Sequence, residues 1–151
     1  MNHHHHMMHH DESGHLPKGI KESTQAKYPV GTKVKLLTDH MSDMLRAEAI
    51  VVGVYDTAAY SVSYHDTETG QEVKDHKWVV DEELSYEGTA EVGDDVTIHA
   101  AHMPGMEEAK GRIVNKIQEP VYMVDYYSSD QERWVKNHQW VVESEVTLWE
   151  E

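Results

Sequence analysis

The chain contains no cysteine. Disulfides, thiolate metal sites and cysteine nucleophiles are therefore excluded together. Phenylalanine is missing too, which leaves four Trp and eight Tyr as the aromatic packing residues. Cationic side chains are scarce: 13 Lys and Arg stand against 28 Asp and Glu, for a formal charge of −15. Such a chain lacks the basic face that neutralises phosphates, which argues against a nucleic-acid partner and favours attraction of cations. No run of about 18 apolar residues occurs, so no transmembrane segment is predicted. No signal peptide is legible, as would hold for any mature or trimmed chain.

What the chain has in quantity is histidine and methionine, thirteen and eight respectively. It also has an internal repeat. The segments 31–84 and 93–146 align at a fixed offset of 62 residues without a gap, and 17 of the 54 aligned positions are identical. A repeat fixes architecture before any local reading does, and what both copies keep is what one unit needs. The shared clusters are His40-Met41-x-x-Met44-x-x-Ala47 with His102-Met103-x-x-Met106-x-x-Ala109, Tyr60-x-Val62-x-Tyr64 with Tyr122-x-Val124-x-Tyr126, and His76-x-Trp78-Val79-Val80 with His138-x-Trp140-Val141-Val142.

Each copy reads as β-structure. Val34-x-Leu36 and Val96-x-Ile98 alternate after a glycine, 47–55 and 109–117 form a second apolar segment, and Tyr60-x-Val62-x-Tyr64 has the period of a half-buried strand. A polar turn at 66–70 precedes a fourth strand at 73–80, and a short fifth lies around Glu83-Leu84. Five short strands in so few residues predict an all-β chain of two tandem small SH3-like barrels. The expected division is a disordered His/Met-rich tail over 1–27, a first barrel over 28–84, a linker over 85–91 and a second barrel over 92–148. The tail includes His3, His4, His5, His6, Met7, Met8, His9 and His10. It reads either as a native metal-collecting segment or as a purification tag.

The His-Met-x-x-Met segment falls in the connection between the first two strands, where function normally sits. In the second copy Pro104-Gly105 fills the middle positions, a pair suited to a turn. A turn can bring two thioethers and an imidazole to one point. Thioether is a soft neutral ligand that selects Cu(I) over zinc, calcium or magnesium. The candidate metal ligands are thus His40, Met41 and Met44 in one copy and His102, Met103 and Met106 in the other. The competing structural reading makes these methionines core fillers. His76 and His138, two residues before Trp78 and Trp140, are secondary candidates; structurally each would pack under the neighbouring indole. A serine or threonine nucleophile has no Gly-x-Ser-x-Gly or comparable setting, so the chain reads as non-catalytic. The carboxylates are so numerous that solvated surface is their default reading.

Taken together, these motifs resemble the paired domain of uncharacterised function in YdhK-like lipoproteins of Gram-positive bacteria, and the CopL-type copper-binding surface lipoproteins are similar. The leader containing Pro17-Lys18-Gly19 resembles the segment that follows the lipidated cysteine there. The resemblance implies an extracytoplasmic copper-binding protein, lipid-anchored in its parent form at the cell surface, that preferentially sequesters Cu(I) and protects against copper; the chain is expected to be a monomer. In the first copy Ser42-Asp43 stands where Pro-Gly or a similar pair is usual, which sets the two loops apart. The alternative is a non-catalytic SH3-like cell-surface module that binds peptide or wall polymer through exposed Trp and Tyr.

Overall fold

Every extended segment read from the repeat is a strand. The computed structural model describes residues 12–150, so the histidines and methionines of positions 3–10 lie outside the described residues. A two-residue strand β1 (Lys21–Glu22) comes first. The first copy then supplies β2 (Lys33–Leu36), β3 (Glu48–Asp56), β4 (Ala59–His65), β5 (Glu72–Val80) and β6 (Leu84–Ser85). The second supplies β7 (Asp95–Ile98), β8 (Lys110–Ile117), β9 (Val121–Ser128), β10 (Arg133–Val142) and β11 (Val146–Leu148). A single 3-10 turn, Asp81–Glu83 or Glu143–Glu145, joins the last two strands of each copy.

The division into one barrel per copy does not match the pairing. One antiparallel sheet runs β10-β9-β3-β2-β11 with β1 on β3, and the other runs β5-β4-β8-β7-β6. Each sheet thus takes strands from both copies. β3 and β4 are consecutive in the chain yet lie in different sheets, β3 against β9 and β4 against β8. The reason is local. Only Thr57 and Ala58 connect β3 to β4, and neither suits the left-handed positions that a two-residue hairpin requires. In the second copy the connection is Gln118-Glu119-Pro120, and proline cannot donate to a continuing ladder. At both places the chain crosses to the other sheet. The expected linker is also reassigned: β6 pairs with β7, Leu84 opposite Ile98, so the residues between them are the loop of a hairpin within one sheet.

Packing follows the same exchange. One core joins Val34, Leu36, Met44 and Val51 to Tyr122, Val124, Tyr126 and Val141. The other joins Tyr60, Val62, Tyr64 and Val79 to Val96, Ile98, Met106 and Ile113. Between them Tyr55, Trp78, Val80, Met123, Trp140 and Val142 form a third cluster. Each fully buried large apolar side chain contributes about 1.5–3 kcal/mol, so neither copy keeps its core if the other is removed.

The leader is more ordered than its composition predicts. Glu12 accepts from Arg133 Nη2 at 2.6 Å and from the Lys136 backbone N at 2.8 Å, and Gln139 Nε2 donates to the His15 carbonyl at 2.9 Å. These bonds and the β1–β3 pairing replace the expected tail over the described part of 1–27.

Candidate functional site

The His-Met segments occupy the β2–β3 and β7–β8 connections. Each is wound into two successive turns: Met44 N donates to Met41 O at 3.0 Å and Ala47 N to Met44 O at 2.9 Å, and the second copy repeats this through Met103, Met106 and Ala109. The histidine at the head of each loop is buried against a glutamate from the other copy. His40 Nε2 lies 2.8 Å from Glu145 Oε2. Glu145 Oε1 in turn accepts from Trp78 Nε1 at 2.9 Å and from the Val142 backbone N at 3.0 Å. His102 Nε2 lies 2.9 Å from Glu83 Oε2, whose Oε1 accepts from Trp140 Nε1 and the Val80 backbone N, both at 3.0 Å. The imidazoles meet their indoles edge-on, with ring centroids 6.0 Å apart for His40–Trp78 and 6.3 Å for His102–Trp140. The two networks are related by the 62-residue offset, and each is completed across the copies.

The carboxylates are the hubs. Burial by itself would raise the Glu145 carboxyl, but hydrogen bonding and charge from His40, with the Val142 and Trp78 donors, hold it below the usual range. An ionised Glu145 accepts, so His40 Nε2 carries a proton. The other nitrogen of that ring, Nδ1, is buried without a hydrogen-bond partner.

The methionines do not gather at a loop surface. Met44 and Met106 are wholly buried in separate cores. Met41 is half-buried against the same core as Met44, and Met103 is half-buried. His138 is buried, with Tyr126 at 5.7 Å and His40 at 6.5 Å between ring centroids. It does not sit under Trp140, whose ring neighbours are Tyr55 and His102. A register shift between Gln139 and Val141 breaks the simple alternation that would have put both on one face. His76 is half-buried against Tyr64 at 6.1 Å.

Each loop is covered by the other copy's hairpin, which accounts for the differing middle residues. Asp43 accepts from Ser128 Oγ and from Tyr126 OH, and Ser42 Oγ donates to Asp130 Oδ2 at 3.2 Å. In the second loop the acid comes from the opposite side. Thr67 N donates to Gly105 O at 2.9 Å, and a Cβ on Gly105, whose φ is +81°, would collide with the Asp66 carboxylate.

Glu83 and Glu145 were not singled out by sequence reasoning, although Glu83 is one of the identical positions of the repeat. In so acidic a chain the glutamates looked like surface; invariance between copies was the signal that separated these two.

Fold and site together define an all-β protein of two interlocked copies, in which a glutamate of each copy anchors the histidine of the other. Residues 30–81 and 92–143 each match the family described as "Protein of unknown function (DUF1541)", and the chain belongs to that family. The expected YdhK-like kinship is borne out. The "Uncharacterized protein YdhK" of Bacillus subtilis (strain 168) is 46% identical over 140 residues, which span 91% of this chain and 68% of that protein. The crystal structure of ydhK from the same organism superposes with a TM-score of 0.85 at 45% identity, covering 89% of this chain and 93% of the other. The solution structure of a ydhK C-terminal domain from B. subtilis gives 0.74 at 46% identity, covering 80% and 92%.

Proposed function

We propose that the protein is a non-catalytic, extracytoplasmic Cu(I)-binding protein whose His-Met loops sequester copper and contribute to copper resistance. The observation that carries this is the state of His40. Its Nε2 is fixed on a buried carboxylate while its buried Nδ1 has no partner. Metal-ligating histidines commonly have their second nitrogen held by a carboxylate, which fixes the tautomer and leaves the other lone pair for the metal. The donor types suit a soft monovalent ion: an imidazole nitrogen followed in the same loop by the half-buried Met41 thioether, with Met44 buried in the adjoining core, and His102, Met103 and Met106 at the same places in the second copy. Copper bound there would be held by dispersed, uncharged donors that lose no proton. The surface location and a lipid anchor in the parent protein are part of the same proposal and rest on the family resemblance.

A second reading, a surface module that binds peptide or wall polymer, has two observations in its favour. Met44 and Met106 are fully buried, while the exposed Tyr127 ring meets Trp134 edge-on at 5.9 Å.

Anaerobic titration with Cu(I), following the His40 imidazole by NMR, tests the proposal. The His40 signals should respond to Cu(I) well before they respond to Zn(II). A His40 ring indifferent to Cu(I), or equally responsive to zinc, refutes a soft site in the first loop.

A further inference from the structure

The second copy carries chemistry that the first lacks. At the positions of Leu37, Leu45 and Arg46 in the first loop, the second has His99, Glu107 and Glu108. One ligand atom from each of these three lies within 4.8 Å of the other two, and His99 Nδ1 is 2.8 Å from Glu108 Oε2. Two nitrogen or oxygen ligands on one zinc-sized ion at about 2.0–2.2 Å stand up to roughly 4 Å apart. Small side-chain movements therefore bring the three to a common ion.

Exposed carboxylates alone do not make a site, but Glu107 and His99 border a built cleft. It has a volume of about 330 Å³ and is walled by the docked leader on one side, through His15, Leu16 and Pro17, and by His99 and Glu107 on the other. The His102 imidazole, 5% exposed, lines the same cleft. Its Nε2 is held by Glu83, and its Nδ1 makes no hydrogen bond among the described residues. His15, His99, His102 and Glu107 thus line one opening, with Glu108 beside His99, in a protein of formal charge −15, which concentrates cations at its surface.

We propose that this cleft is a second metal site, of nitrogen and oxygen character, for a borderline divalent cation such as Zn(II) or Cu(II). His99, Glu107 and Glu108 supply the outer ligands and His102 Nδ1 the inner one. Imidazole and carboxylate suit these ions, and without thiols the chain has no competing soft charged ligand. The second copy thus has, near its loop imidazole, nitrogen and oxygen ligands for a divalent ion that the first copy lacks. The proposal shares His102 with the thioether reading, but the remaining ligands differ, so variants separate the two.

The test uses the full chain and Zn(II), which is diamagnetic and redox-inert. The His99 and His102 imidazole signals are followed in the parent protein, in a His99→Gln/Glu107→Gln variant and in a Met103→Leu/Met106→Leu variant. The N-terminal histidines are common to all three and cancel. The expected result is a joint response of His99 and His102 to Zn(II). It should weaken more than tenfold in the first variant and persist in the second, which instead loses any Cu(I) response. Zinc that leaves His99 and His102 unmoved overturns the proposal. So does a response unchanged by loss of His99 and Glu107, or one abolished by the methionine changes.

Discussion

Replacing Glu145 by Gln is the sharpest probe of the His40 network, because it keeps size while inverting one hydrogen bond. In the native protein the carboxylate accepts from three donors, His40 Nε2, Trp78 Nε1 and the Val142 N–H. A glutamine has one acceptor oxygen and one donor NH₂. Two of the three native donors, Trp78 and Val142, already share Oε1, so the amide oxygen belongs there and its NH₂ faces His40. Facing a donor, the imidazole must accept at Nε2, which moves its proton to Nδ1. The loss in stability is the difference between hydrogen bonds to a charged group, about 1.5–3 kcal/mol each, and neutral ones near 1 kcal/mol. We therefore expect about 1–2 kcal/mol in chemical denaturation. Metal binding should suffer more: Nδ1 no longer offers a lone pair, and loss of such a supporting group typically lowers affinity about 10–100-fold. Imidazole ¹⁵N shifts read the tautomer directly. A Glu145→Gln protein whose His40 remains protonated at Nε2 alone, or that binds Cu(I) at this loop as before, refutes the reasoning.

The remaining expectations are briefer. Because the Glu145 carboxyl is held below its ordinary value of 4.5, its contribution to stability is fully present above that pH and is lost as pH falls through the depressed folded value. Acid denaturation followed by tryptophan fluorescence should show this loss in the parent protein and a shallower acid limb in Glu145→Gln; identical limbs contradict it. Met44→Leu nearly conserves volume and should cost below about 1.5 kcal/mol, while thermal stabilisation by added Cu(I) at the first loop disappears; undiminished stabilisation shows that the thioether is only packing. Gly105→Ala combines a left-handed backbone with a collision against Asp66 and should cost about 2 kcal/mol or more. An added Asp66→Ala should recover part of that loss, and denaturation midpoints that show no recovery put the contact in error.

Much of the backbone was legible because alternation and turn residues are local signals. Tyr60-x-Val62-x-Tyr64 and its copy announce a strand whichever sheet receives it. The exchange of strands was harder to read, since a repeat states what one unit contains and not which unit completes its core. The hint was negative: Thr57-Ala58 and Gln118-Glu119-Pro120 are poor hairpin turns. His40 and His102 stood out as candidates, yet their partners Glu145 and Glu83 are more than a hundred residues distant in one case and nineteen in the other. Nothing local marks a carboxylate as buried when 28 acids are present. The position of His138 was misjudged because period-two reasoning assumes an unbroken ladder, and β10 is bulged. Glu12 and His15 accept hydrogen bonds from Arg133, Lys136 and Gln139 of a strand at the far end of the chain, a relation no compositional reading contains.

The crossing of strands at 57–58 and 118–120 changes what the segment between β6 and β7 is for. Two domains on a hinge would use such a segment to swing apart. Here the copies share both sheets, so the segment holds together two halves that would otherwise have to find each other in solution. It converts a bimolecular association into an intramolecular one, and its length sets an effective concentration rather than a range of motion. The arrangement is that of a two-fold dimer whose subunits have been joined end to end. Joined halves need not be identical, and a histidine with two glutamates stands in one loop where the other has two leucines and an arginine.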